Sequence, residues 1–262
     1  MLGGFLITAI ALLFDRNSRE GVHTLALFSS AVLILMLDSF LFSLMTGSQV
    51  PDDGDRSGIC AIVWTQGALA TGMLAAGATA LFGGLGWMLA SHAVNKMPNE
   101  DSKDIGAFSF LADLGGWLTF TAAMATTVIL SETSIDYLHF MFGRRPDLWL
   151  TALIVTSAFA VIMVDFILVY VRTRALRKSL ADIAEPTRLA LRSIKVATVA
   201  MVVLAIVASW LALTLARLPK EWFTTPNIGV VIVVLVLTFC LPTVVSTAIC
   251  YSVASTDSRE SG

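Results

Sequence analysis

Lysine, arginine and histidine are absent from the interiors of every long apolar run in this chain, although three of those runs enclose an aspartate, Asp38, Asp113 and Asp165. That absence removes the usual partner of an acid held in hydrocarbon, an intramembrane base. Charge is scarce throughout: 14% of the 262 residues are charged, against roughly 25% in a soluble domain. A surface so poor in charge cannot solvate a globular fold, and a net charge of −2 is too small to attract nucleic acid. Three cysteines, Cys60, Cys240 and Cys250, give neither a disulfide framework nor metal-ligand spacing. Cys240 and Cys250 would lie about 15 Å apart along one helix, too far to bridge. The three histidines, His23, His92 and His139, all fall near the ends of apolar runs. No phosphate-cradling glycine loop, Gly-x-Ser-x-Gly elbow or His-Glu-x-x-His occurs. No catalytic residue, metal, cofactor or nucleic-acid partner is therefore expected.

Apolar residues are what the chain has in excess, 56% of it, with a mean hydropathy of +0.82. A helix needs about 20 mostly apolar residues to cross a bilayer core of about 30 Å. Six segments meet this: Thr24–Thr46, Ile59–Val94, Ile105–Leu130, Leu148–Val171, Ile194–Ala216 and Ile228–Tyr251. A seventh, Leu2–Phe14, is only about 20 Å long as a helix. It has no basic leader, and Asp15-Arg16 follows where a cleavage site would carry small residues, so it reads as a retained short first helix. The expected fold is an all-α polytopic membrane bundle of seven transmembrane helices. Residues 1–262 read as a single transmembrane helical domain.

The segment Arg172–Lys195 holds seven of the 17 basic residues, which places it on the cytoplasmic side of a cell membrane. Alternation then puts twelve basic residues inside and five outside, with the N-terminus out and the C-terminus in. The same segment reads as two helical extensions broken near Glu185-Pro186, with lysines and arginines suited to anionic lipid. On the other side, Glu132, Asp136 and His139 share one helical face, interleaved with Tyr137, Phe140, Phe142 and Trp149, as in an amphipathic helix with an aromatic belt. The Asp52-Asp53-Gly54-Asp55 turn lacks the ligand spacing of a calcium loop.

Two features concern packing. Ala68, Gly72, Ala76, Ala80 and Gly84 recur at intervals of four, beside a second row, Thr71, Ala75, Thr79 and Gly83. Small residues let helix backbones approach closely, so the segment holding them is expected at the centre, its row against another helix. That segment is too long for one crossing, and Gly83-Gly84-Leu85-Gly86 is where it is expected to break if it does not tilt or project. Ala112/Gly116 and Thr119/Ala123/Thr127 continue the small-residue theme in the next segment. In the last one, Pro242 should kink the helix and free a backbone carbonyl, which Thr238 or Ser246 could satisfy.

The three aspartates are the candidate proton- or cation-binding residues. Asp113 and Asp165, counted from the ends of their segments, stand at similar depth on neighbouring helices; face to face they would share a proton or a cation. The structural alternatives are a reach from Asp165 towards Arg172 and a bond from Asp113 to a hydroxyl such as Ser109. For Asp38 the structural alternative is an interhelical bond to Gln66.

Seven helices in this orientation resemble several membrane families in topology alone. A retinal protein needs a lysine in its last helix, and Ile228–Tyr251 has none. The seven-helix ceramidase and adiponectin-receptor-like hydrolases use paired histidines late in the chain, where this sequence has none. Two functions lead, ahead of receptor, enzyme and other readings: a channel or carrier for protons or small cations that uses its intramembrane carboxylates, or a non-catalytic structural or accessory subunit of a larger membrane complex. Either is compatible with a homo-oligomer or a hetero-complex with other membrane proteins in the lipid bilayer.

Overall fold

The computed structural model describes residues 19–47, 56–96, 105–143, 147–179, 187–218 and 227–253. These residues are helical apart from short turns. Five long helices come first: α1 (Arg19–Thr46), α2 (Arg56–Lys96), α3 (Ile105–Phe142), α4 (Leu148–Ser179) and α5 (Thr187–Thr214). A shorter pair follows, α6 (Ile228–Leu235) and α7 (Leu241–Val253), joined by a π turn over Val236–Cys240. Six stretches among the described residues are long and apolar enough to cross a membrane, the sixth running from α6 through the π turn to α7. The Leu2–Phe14 segment, the Asp52-Asp53-Gly54-Asp55 turn, Arg144-Arg145 and Glu185-Pro186 lie outside the described residues.

Helix is the form such segments take because lipid offers no partner for an open backbone. Many hydroxyl side chains follow the same rule and bond back to their own helix: Thr65 to the Ala61 carbonyl at 2.7 Å, Thr127 to Ala123 at 2.8 Å, Thr173 to Val169 at 2.7 Å. Asn227 caps α6, its side chain accepting from the Gly229 N–H at 2.9 Å.

α2 packs against α1, α3, α5, α6 and α7, and it is the most enclosed span. α7 is the second hub, in contact with α2, α3, α4 and α5. α4 is the least enclosed span and rests on α3 and α7. Of the tilt, projection or break open to this segment, the break at Gly83-Gly84-Leu85-Gly86 does not occur: α2 is continuous over 41 residues, about 61 Å, and therefore outruns a bilayer core. Its glycines serve close approach instead. A methyl group built on Gly84 would lie 3.1 Å from the Phe28 ring of α1, and one built on Gly115 of α3 would lie 2.8 Å from the Gly86 carbonyl oxygen. Neighbours pressed against the backbone hold these residues helical.

The small-residue row is also shared out differently from expectation. Ala68, Gly72, Ala76, Ala80 and Gly84 are all buried, but Gly72 meets the π turn while Gly84 meets α1. A step of four residues advances about 40° around a helix, so the row winds through about 160° and serves several partners. On α3, Glu132, Asp136 and His139 are exposed as the amphipathic pattern requires. Tyr137 departs from the expected belt and is fully buried, packed with Leu138 and Met141 in the main core.

Candidate intramembrane ion site

The three aspartates are all buried, at 3% exposure for Asp38, 7% for Asp113 and 1% for Asp165, and the helix registers keep them apart. On the α3–α4 interface Gly116 faces Val169 and Thr173, and the Phe120 and Phe166 rings lie 5.6 Å apart. In that antiparallel register Asp165 is level with Thr121, about eight residues or 12 Å along the axis from Asp113. The shared-proton pairing of Asp113 with Asp165 is thereby removed. Depth counted from helix ends misleads here because α3 runs to 38 residues, so its first residue does not mark a membrane boundary. Asp113 engages at least one neighbouring group. The side chains of Ser109 and Arg172 lie outside the described residues.

Asp38 does not bond Gln66. On the α1–α2 interface Gly77 lies against Ile34 and Leu35, and Gly67 against Met45, which makes Asp38 level with Leu74 and leaves Gln66 about 12 Å further along. The Gln66 amide instead donates to the Ala212 carbonyl of α5 at 2.9 Å. Asp38 Oδ1 has no hydrogen-bond partner among the described residues.

Asp165 stands out from the other two. Both of its carboxyl oxygens are buried and neither makes a well-formed hydrogen bond among the described residues, although the Thr247 hydroxyl of α7 lies close enough to turn towards them. Its surroundings come from α7, where Thr247 and Cys250 are close enough to interact with it, and from the packing of α3 that brings Ala123, Val169 and Cys250 together. One residue from Thr247, Ser246 opens a string of hydroxyls: its Oγ donates to Thr79 Oγ1 at 3.3 Å, and Thr79 Oγ1 lies 3.2 Å from Thr126 Oγ1, a pair in which either can donate. Thr119 adds a hydroxyl within reach of the Phe82 carbonyl at 3.3 Å. Where α2, α3 and α7 meet, polar oxygens thus replace apolar packing at the level of Asp165. The α2 rows point to close packing before the lining of a pore, and the hydroxyls at positions 243, 246 and 247 of the last span were the available sign that its inner face is polar.

Pro242 is buried and sits just beyond the π turn. Its ring would press on the carbonyl of Thr238, four residues earlier, in a regular helix. The π turn relieves that by shifting the Leu241 N–H to the Val236 carbonyl. Neither expected rescuer acts on the freed backbone: Ser246 is bonded to Thr79, and Thr238 Oγ1 is buried with no partner among the described residues. Among the described residues no group of three or more histidines, cysteines, aspartates or glutamates is arranged to hold a metal ion.

No protein-family model, curated protein or solved structure matches this chain. The functional reading therefore rests on the geometry of the bundle alone.

Proposed function

We propose that this protein is an integral membrane permeation protein, a channel or carrier for protons or small cations, with Asp165 as its principal ion-handling carboxyl. The supporting observation is that both oxygens of Asp165 are buried and neither makes a well-formed hydrogen bond among the described residues, the Thr247 hydroxyl being a neighbour close enough to turn towards them. A carboxylate left so in hydrocarbon costs roughly 2.5–3.5 kcal/mol even on the mildest insertion scale. Such a group persists where it carries a proton or receives a cation as part of its work. The hydroxyl string Ser246–Thr79–Thr126, which starts one residue from Thr247, supplies oxygens that both donate and accept, as a route for protons or partly dehydrated cations requires. Asp38 and Asp113 are further candidate sites on the same reading.

In this account the short first helix completes seven spans, the N-terminus is outside, and the Arg172–Lys195 segment and the C-terminus face the cytoplasm. The test is reconstitution of the purified protein into liposomes with an imposed pH or Na⁺ gradient. The expected result is collapse of one of these gradients faster than in protein-free vesicles. Folded protein that leaves both gradients intact, and that co-purifies from mild detergent with a stoichiometric partner, would instead identify an accessory subunit of a larger complex.

A further inference from the structure

The backbone oxygens around Asp165 are already engaged. Ala123 and Val169 pack with Cys250 in the buried cluster beside it. The Ala123 carbonyl accepts the Thr127 hydroxyl at 2.8 Å as well as its helix N–H. The Val169 carbonyl accepts Thr173 at 2.7 Å, and the Ile249 carbonyl of α7 accepts Ser252 at 2.8 Å. A carbonyl oxygen has two lone pairs, so these have none to spare for a further ligand. α3, α4 and α7 are each helical through this level, and the π turn ends at Cys240, about 10 Å short of Thr247 along the axis. On the lipid side Phe166 meets Phe120 at 5.6 Å and Tyr170 at 6.1 Å, so apolar rings cover this level of the α3–α4 seam.

These surroundings suit one form of the carboxyl group. A sodium ion gives up its water only for several oxygens in replacement, which membrane carriers supply from unwound carbonyls. Here the described neighbours offer the two carboxyl oxygens, the Thr247 hydroxyl and the Cys250 thiol, and sulfur is a poor ligand for a hard cation. An ionised carboxylate fares no better, because it needs two or three good donors and the nearby threonines spend their hydrogens on their own helices. Charge partners are missing too. On α3 the nearest is another acid, Asp113, about 12 Å along the axis. On α7 the titratable neighbours are the Cys250 thiol and then Tyr251. On α4, Tyr170 and Arg174 share the exposed face, and the Arg172 side chain lies outside the described residues. A neutral carboxylic acid needs only one acceptor for its O–H, and Thr247 Oγ1 is within reach.

We infer that Asp165 is a proton site that excludes Na⁺: between α3, α4 and α7 it stands as the neutral carboxylic acid, and the proton is its ligand. Transport of that proton rests on the permeation reading above; the acid form of the site does not. Movement away from Asp165 asks only that hydroxyls turn between their own carbonyls and each other, as Thr79 and Thr126 are placed to do.

The experiment separates the two. Infrared spectra of the purified wild type and Asp165→Asn are subtracted at neutral pH, in NaCl and in choline chloride at equal ionic strength. Asp165→Leu supplies the subtraction if Asp165→Asn does not fold. The wild type is expected to show the C=O stretch of an un-ionised carboxylic acid, shifted in D₂O and equally strong in both salts, which the variant loses. In liposomes the wild type should dissipate a pH gradient and hold a Na⁺ gradient. Carboxylate bands in place of the acid stretch at neutral pH would overturn the inference. So would an acid stretch that NaCl converts to carboxylate, or an Asp165-dependent collapse of the Na⁺ gradient. An acid stretch indifferent to Na⁺, in a protein that dissipates neither gradient, would uphold the proton site and remove the permeation reading.

Discussion

A carboxyl group enclosed among helices without a well-formed hydrogen bond is a cost that packing does not explain, and among the described residues both oxygens of Asp165 are in that position. Replacing such a group with an apolar side chain of similar size is neutral or stabilising when nothing depends on the charge. We expect Asp165→Leu to leave the melting temperature in detergent unchanged or to raise it, by the equivalent of about 1–3 kcal/mol. A large loss of stability would show that the acid has a structural partner instead. Gln66 should behave in the opposite way, because its amide joins α2 to the Ala212 carbonyl of α5. Gln66→Leu should cost on the order of 1 kcal/mol in the same measurement. The burial of the three aspartates was legible from their places within apolar runs. Their partners were not, because register depends on where each helix enters the bundle, and the projection of α2 and α3 moves that point.

Among the helical elements, the sixth span and α2 form the contact that carries most of the account. Gly72 admits the π turn, and the atoms a methyl group would strike are backbone, which cannot swing aside. Gly72→Ala should therefore destabilise the fold by about 1–3 kcal/mol, the usual cost of overpacking. Gly84→Ala should cost less, because its new methyl would meet the edge of the Phe28 ring, a side chain able to adjust. Unfolding of the two variants in one detergent checks the order; equal losses would mean that the π turn yields more easily than its backbone contact implies. Pro242 announced an irregularity in the sequence, but a proline alone does not distinguish a kink from a π turn. The π turn packs against Gly72 across the interface, a residue more than 160 positions earlier in the chain, so no local pattern could suggest it. The small-residue row was legible as close packing, yet a period of four drifts round a helix, so a one-dimensional reading could not give its several partners.

For the whole molecule, six apolar stretches and the bundle they form follow from composition and segment length, since lipid leaves the backbone no alternative to helix. Sidedness is a separate matter, carried by seven basic residues between Arg172 and Lys195. With Cys60, Cys240 and Cys250 removed, a cysteine at position 53 should react with an impermeant thiol reagent on intact cells, and one at position 180 should be protected. The reverse pattern would invert the assignment. The proposed function was legible in the sequence only as one of a pair of leading alternatives, and the hydroxyl string built from Thr79, Thr126 and Ser246 that supports it exists only once three helices meet. The most direct measurement is flux through proteoliposomes containing wild-type or Asp165→Asn protein at matched density, under imposed pH and Na⁺ gradients. The account predicts that the wild type dissipates at least one gradient and that Asp165→Asn, folded and monodisperse, is slower by tenfold or more, about 1.4 kcal/mol on the barrier. Wild-type rates in Asp165→Asn would contradict it.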